Sequence, residues 1–179
     1  MTPSRLTRKN IRLELENYLG ERQYFVTLCC ARRRELLDRP GVSSWAIARL
    51  RQSAARHAFE VHSYCVMPDH LHLLAEGIRG SSNLLRFVAH YKQTTGFEFQ
   101  QRWAQQLWQF KYFDHILRKS DAFESVAWYI WLNPVRKGYC QGPREYPYSG
   151  FLTDVGGKIF SGSRRENWSP PWHNVSMTM

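Results

Sequence analysis

The sequence lacks the cysteine spacing of a zinc or disulfide framework. Its 179 residues include four cysteines, none of them in a Cys-x-x-Cys pair: Cys29, Cys30, Cys65 and Cys140. Structural zinc sites are built from closely spaced Cys and His ligands, and small disulfide scaffolds are rich in cysteine. We therefore expect free, mostly buried thiols in a reducing compartment.

Long hydrophobic runs are also missing. No apolar stretch approaches the ~18 residues that a membrane-spanning helix needs. Residues 1–12 are polar and basic, and no apolar segment follows them as it would in a signal peptide. We expect a cytoplasmic protein with no membrane partner.

Acidic residues are scarce relative to basic ones. The 25 Lys and Arg residues exceed the 15 Asp and Glu residues, which gives a formal net charge of +10. This balance favours a polyanionic partner whose counterions are released on binding. Because the basic residues are dispersed and no helix pairs a basic face with a strongly apolar one, nucleic acid is favoured over a membrane surface.

The length and the 43% hydrophobic content fit one well-buried domain. We predict a basic N-terminal arm at residues 1–20, a folded domain at 21–150 and an irregular tail at 151–179. Apolar spacing predicts strands at 23–31, 59–66 and 71–76, helices at 45–57, 83–103 and 122–132, and a loop with a strand within 107–117. Ser43 or Ser44 would cap the first helix and Ser120 or Asp121 the last, while Gly96 leaves the continuity of the second helix open. The order β-α-β-β-α-β-α predicts an α+β sandwich of ferredoxin-like type, an antiparallel central sheet with helices packed mainly on one face.

The most informative short motif is His70-Leu71-His72. On a strand the two imidazoles share one face, with ~7 Å between their Cα atoms, while Leu71 and Leu73 face a core. Two imidazoles that converge on a divalent cation leave coordination positions open for catalysis. The alternative is one surface histidine and one hydrogen-bonded polar residue at a strand edge.

A second pair, Tyr129 and Asn133, lies four residues apart at the end of the last predicted helix, on one helical face. If both address the site of His70 and His72, Asn133 Oδ1 is a third ligand and Tyr129 is a nucleophile beside the metal. Mixed nitrogen and oxygen ligands favour Mg²⁺ or Mn²⁺, although imidazoles also bind Zn²⁺ or Ni²⁺. The alternative makes Tyr129 a core aromatic and Asn133 a helix C-cap.

Four ordered blocks carry a family resemblance: 67–74 (MPDHLHLL), 107–118 (LWQFKYFDHILR), 129–138 (YIWLNPVRKG) and 146–149 (YPYS). Together they resemble the IS200-like transposase superfamily, most closely the REP-associated tyrosine transposases, over residues 23–149. The resemblance implies a single-tyrosine HUH endonuclease that acts on single-stranded DNA, often at hairpins formed by palindromic repeats. It also implies that His70 and His72 are metal ligands, Tyr129 the nucleophile and Asn133 the polar ligand. In the family, the tyrosine forms a 5′-phosphotyrosine and leaves a free 3′-OH.

DNA binding would fall to the basic leader, to other basic residues and to aromatic residues that can stack on bases. The candidates are Arg32, Arg33, Arg34, Lys111, Arg118, Lys119, Arg136 and Lys137, with Trp108, Phe110 and Tyr112 for stacking. His115 is a candidate accessory residue or a structural hydrogen-bonding group. Asp69 is a turn residue or a partner of an imidazole, and Tyr91 is a rival nucleophile or a core residue.

Three functions are consistent with these residues and with the family resemblance. The first is a metal-dependent DNA strand transferase with a tyrosine nucleophile, present as a monomer or a homodimer. The second is a non-catalytic nucleic-acid-binding module on the same fold. The third is a metal phosphodiesterase that uses water.

Overall fold

A five-stranded antiparallel sheet forms the centre of the molecule. The computed structural model describes residues 14–118, 123–153 and 170. The strands are Gln23–Cys29 (β1), Phe59–Met67 (β2), His70–Gly77 (β3), Phe113–Ile116 (β4) and Ser149–Gly150 (β5). They lie in the order β4-β1-β3-β2-β5, and each neighbouring pair is antiparallel. The predicted α+β class with an antiparallel sheet is confirmed.

The predicted hairpin is formed by β2 and β3, joined by the two-residue turn Pro68-Asp69. Its second strand begins at His70, one residue earlier than expected, so both histidines of the motif lie on β3. In the pairing of β1 with β3, Cys29 is opposite His70 and Thr27 is opposite His72. Because directly paired residues share a face, all four side chains lie on the same side of the sheet.

The described helices are Val42–Arg56 (α1), Leu84–Trp103 (α2), Phe123–Trp131 (α3) and Asn133–Arg136 (α4). The two long helices, α1 and α2, cover one face of the sheet, where Val26, Leu28 and Leu73 belong to the larger core cluster. The shorter α3 packs on the other face, the face that carries the histidines. Helix α2 is continuous through Gly96.

Four local expectations need correction. Neither Ser43 nor Ser44 caps α1: the cap is Gly41, whose left-handed backbone (φ 77°) turns the chain into the helix, and Ser43 Oγ donates to Leu37 O instead. The first strand ends at Cys29 because the chain turns into a 3₁₀ segment. After α3, Asn133 begins a further helical turn with Pro134 near its start. No strand was predicted at the end of the folded domain, where β5 pairs with the edge of β2.

The predicted arm at residues 1–20 is described only from residue 14 onward. Within that part, Leu15–Tyr18 is a 3₁₀ turn, Tyr18 is buried in the larger core, and Leu19 forms a bridge with Asn83. The proposed caps Ser120 and Asp121 lie outside the described residues, as does most of the tail. Within the part of the chain that the structure describes, no helix has the length and apolar character needed to cross a membrane.

Candidate active site

The imidazoles of His70 and His72 meet on the sheet face beneath α3. Their Nε2 atoms are 3.0 Å apart and both side chains are buried. Leu71 and Leu73 lie on the opposite face, in the core beneath α1 and α2. The strand alternation predicted from the motif is therefore confirmed.

Each imidazole is held from behind by an oxygen. His70 Nδ1 is 2.5 Å from Asp69 Oδ1, and His72 Nδ1 is 2.8 Å from Thr27 Oγ1. When each ring donates its Nδ1–H outward, both Nε2 lone pairs point at each other, an arrangement that a shared proton or a cation stabilises. Two nitrogens that each lie ~2.1 Å from one cation at a right angle are ~3.0 Å apart, so the pair fits adjacent positions of an octahedral ion.

A third metal ligand would have to be a side chain other than His, Cys, Asp or Glu. Among the described residues, no third His, Cys, Asp or Glu side chain joins the two histidines in a metal-binding cluster. The Asn133 amide oxygen is a hard donor of the kind that Mg²⁺ and Mn²⁺ accept. Asn133 is buried and lines the same cavity as both histidines.

Asp69 is both a turn residue and a partner of an imidazole. Its second carboxylate oxygen is 3.2 Å from Arg33 Nε, and Arg33 Nη1 donates to Cys29 Sγ. Burial alone would raise the pKa of Asp69, but the hydrogen bond from His70 and the charges of His70 and Arg33 outweigh it and lower that pKa. The carboxylate therefore stays ionised and can orient the His70 ring.

Arg33 reaches Asp69 through an unusual backbone. Both Arg32 and Arg33 have a φ of 56°, in the left-handed region that residues with a Cβ rarely adopt. Strained backbone of this kind persists only where the surrounding contacts hold it in place, and it clusters at functional sites. Here the contacts are those that Arg33 makes with Cys29 and Asp69.

Tyr129 comes from α3, on the far side of the cavity from the sheet. Its ring is 6.3 Å from the His72 ring and 6.2 Å from the Phe25 ring, centroid to centroid. Tyr129 is only 2% exposed, so the phenol is reached through the cavity. Tyr129 and Asn133 line the same cavity, as expected from their i, i+4 spacing, even though α3 ends between them at Trp131.

Arg136 packs against the ring of Tyr129. Its guanidinium carbon is 4.1 Å from the centroid of the Tyr129 ring, and it donates a hydrogen bond to the Tyr129 carbonyl oxygen. Burial raises the pKa of Tyr129, while the charge of Arg136 and a hydrogen bond from Arg136 to the Tyr129 side chain act in the opposite direction without reversing the rise. The phenol is therefore protonated at neutral pH.

These side chains line a cavity of about 370 Å³. Of the basic candidates named from the sequence, Arg33, Arg136 and Lys137 line it. Thr27, Glu35, Met67 and Tyr139 also line it and were not predicted. The position of Thr27 opposite His72 depends on strand register, which no pattern in the sequence reveals.

Other candidates lie elsewhere. Trp108 is buried and its Nε1 donates to Thr95 Oγ1, so its ring is not open to a base. Tyr91 is buried on the opposite face of the sheet, where its hydroxyl donates to Ala46 O. Six further candidates do not line the cavity: His115, Arg32, Arg34, Lys111, Tyr112 and Arg118. Lys119 lies outside the described residues.

His115 pairs with Phe25 and so lies on the face of the sheet that carries the two histidines. Its accessory role stays a prediction. The same holds for the DNA contacts of the exposed basic residues Arg32, Arg34, Lys111 and Arg118.

A family model described as "Transposase IS200 like" matches residues 19–132. The chain belongs to this family. A provisionally named REP-associated tyrosine transposase of Haemophilus influenzae is 28% identical over 131 residues, which cover 66% of this chain and 71% of that protein. The REP-associated tyrosine transposase of Escherichia coli K12 is 27% identical over 101 residues, 54% of this chain and 57% of that protein. The predicted family is confirmed, and the chain is an enzyme of the single-tyrosine transposase class.

A solved structure shares the fold. It is that of a REP-associated tyrosine transposase bound to a REP hairpin, with a TM-score of 0.64 at 18% sequence identity. The match covers 95% of this chain and 92% of the other. As an IS200-like transposase, the chain is a DNA-binding protein, as its net positive charge predicted.

Proposed function

We propose that the chain is a metal-dependent endonuclease and strand transferase for single-stranded DNA, with Tyr129 as its nucleophile. The observation that carries the proposal is that Tyr129, Asn133, His70 and His72 line one cavity. They come from two distant parts of one chain and belong to different elements. Their convergence supplies a nucleophile and three candidate metal ligands without a second subunit.

In the proposed reaction Tyr129 is the only protein group that becomes covalently bonded to DNA, and each bond that forms is matched by one that breaks. The Tyr129 oxygen forms a bond to phosphorus at the scissile phosphate, and the bond between phosphorus and the 3′ oxygen breaks. One DNA end becomes a 5′-phosphotyrosine, and the other takes a proton to become a free 3′-OH. Attack of a 3′-OH on the phosphotyrosine reverses these bond changes, so joining needs no external energy source.

Residues of the cavity have separate parts in this reaction. His70, His72 and Asn133 would hold Mg²⁺ or Mn²⁺, which when bound would polarise and orient the phosphate. Arg33, Arg136 and Lys137 line the same cavity and can balance phosphate charge by charge-assisted hydrogen bonds. Because the Tyr129 phenol is protonated at neutral pH, its proton must leave as the bond to phosphorus forms.

The proposed substrate is a hairpin formed by a REP-like palindromic repeat, with single-stranded DNA beside it. Support comes from the family and from the shared fold with the transposase that was solved on a REP hairpin. A cytoplasmic location follows from this proposal, because the two named relatives are bacterial and a bacterial chromosome lies in the cytoplasm.

The test uses the full chain, a hairpin oligonucleotide with single-stranded flanks, Mn²⁺ and a denaturing gel. The substrate is labelled at its 3′ end in one sample and at its 5′ end in another. We expect a covalent adduct that carries only the 3′-end label, and a released fragment whose 3′-OH a polymerase can extend. Tyr129→Phe should abolish the adduct, because it lacks the attacking oxygen.

A matched control is Tyr139→Phe, since Tyr139 lines the same cavity but is 51% exposed. This variant should form the adduct at a rate within about threefold of wild type, a change of less than ~1 kcal/mol in the barrier. His70→Ala and His72→Ala should abolish cleavage and leave most DNA binding. Cleavage that survives Tyr129→Phe would identify water as the nucleophile, and full activity in both histidine variants would overturn the metal assignment.

A further inference from the structure

A short loop protrudes beside β1, opposite the histidine strand. Thr27 of β1 pairs with Phe113 of β4, and Cys30, the residue after β1, forms a bridge with Trp108. Between these two pairings the chain of β1 advances three residues and its neighbour advances five. The two extra residues leave a bulge in the segment 109–112, which we call the bulge loop.

The ends of the bulge loop are tied to the residues that flank the site. At one end, Gln109 N donates to Cys29 O at 2.9 Å, and Cys29 pairs with His70. At the other, Phe113 pairs with Thr27, whose Oγ1 is bonded to the His72 ring. Since neighbouring strands are ~4.8 Å apart, the path of β4 lies ~10 Å from that of β3. One DNA strand can therefore reach both the cavity and the loop.

Lys92 of α2 holds the loop from behind. Its Nζ donates to the carbonyl oxygens of Gln109 and Phe110, at 2.9 and 2.7 Å, and lies 5.4 Å from the centroid of the Tyr112 ring. The backbone at Phe110 is thus anchored by a side chain as well as by β1. An anchored loop loses less conformational entropy when a ligand binds to it.

Phe110 itself is almost fully exposed to solvent. Its side chain is 92% exposed, a larger fraction than for any other large hydrophobic residue that the structure describes. The neighbouring aromatics differ, because Trp108 is buried and Tyr112 is half-buried. Of Trp108, Phe110 and Tyr112, only Phe110 presents an open ring. Lys111, next to it, is an exposed cation.

We infer that Phe110 stacks on an unpaired base of the DNA strand that enters the cavity, an assignment that rests on the proposed function. A base offers a flat face of any sequence to an aromatic ring, and Lys111 provides a cation for the adjoining phosphate. Such a contact would stabilise the complex with single-stranded DNA. It also gives a role to the apolar ring that this anchored loop exposes to solvent.

The test measures binding of the full chain to a hairpin with single-stranded flanks by fluorescence anisotropy, in EDTA so that no cleavage occurs. Phe110→Ala should raise Kd by about 5- to 150-fold, the range for loss of one stacked base. Phe110→Trp should bind as wild type does, because it keeps an aromatic face. The matched control is Phe97→Ala on α2, where a phenylalanine is 66% exposed, and its Kd should not change.

A scan with abasic nucleotides identifies the stacked base. In wild type, one abasic position in the flank should raise Kd, and in Phe110→Ala the same substitution should have no further effect. Equal losses in both proteins at every position, or a wild-type Kd for Phe110→Ala, would overturn the inference. Because binding needs neither Tyr129 nor a metal, failure of the cleavage mechanism would leave this result standing. A wild-type chain that does not bind the flanked hairpin would overturn both.

Discussion

At the scale of single residues, the site depends on a line of contacts that runs outward from the histidine pair. His72 contacts Thr27, while His70 contacts Asp69, which in turn contacts Arg33. Each outer group fixes the orientation of the ring before it, so that the two Nε2 atoms face one point. The outermost member, Arg33, has a left-handed backbone.

Asp69→Asn tests this line of contacts. An amide can still accept the His70 Nδ1–H, but without the negative charge the ring becomes a weaker ligand. We expect the Kd for Mn²⁺ to rise about 10- to 100-fold, as for other partners of metal-binding histidines, when Mn²⁺ alone is titrated by calorimetry. Glu60→Gln, an exposed change on β2, should leave the Kd unaltered. If Asp69→Asn binds Mn²⁺ as wild type does, the carboxylate does not support the site.

Local signals predicted each pair of candidate site residues, and the family resemblance joined the two pairs into one site. Strand alternation places His70 and His72 together, and helical spacing places Tyr129 near Asn133. Arg33 was predicted only as a DNA-binding residue, and its contact with Asp69 follows a left-handed turn that no pattern reveals. Thr27 and Tyr139 depend on a strand register and a distant loop, which leave no periodic pattern either. Phe110 and Trp108 have similar sequence character, and only the fold shows that one is exposed and the other buried.

At the scale of elements, long periodic segments were predicted well and their junctions were not. Helix α2 begins and ends almost where the pattern indicated, with Asn83 Oδ1 accepting from Arg86 N as an N-cap. Strand β5 has two residues, too few to show alternation, and exists because the edge of β2 is available to it. The junction between β3 and α2 likewise depends on a distant segment, since Gly77 packs against Gly20.

Two glycine substitutions separate close packing from helix propensity. In Gly77→Ala the new Cβ would lie 2.2 Å from Gly20 O, a backbone atom held in place by the bond from Gly20 N to Ser82 O. We expect a loss of about 1–3 kcal/mol in the free energy of unfolding, measured with urea. Gly96→Ala meets no atom within 4 Å and lies inside α2, so it should gain about 0.5–1 kcal/mol. Equal stability of the two variants would refute the assigned contact with Gly20.

At the scale of the whole molecule, the sheet separates a structural face from a working face. Helices α1 and α2 bury one side in the larger core. The side under α3 carries the histidines, the nucleophile candidate and the lining cations Arg33, Arg136 and Lys137. A net charge of +10 attracts DNA to the whole surface. Only the charges near the cavity are placed to contact the DNA strand that would reach Tyr129.

The salt dependence of DNA binding distinguishes these two classes of charge. Each phosphate contact to a single strand contributes about 0.7 to the slope of log Kd against log salt concentration, because counterions are released. Lys137→Gln, at the cavity, should lower that slope by about 0.7, measured by anisotropy with a single-stranded oligonucleotide. Arg56→Gln removes an exposed charge at the end of α1, on the other side of the sheet, and should leave the slope unchanged. An equal fall in both variants would mean that DNA contacts the basic surface without preference for the face of the sheet that carries the cavity.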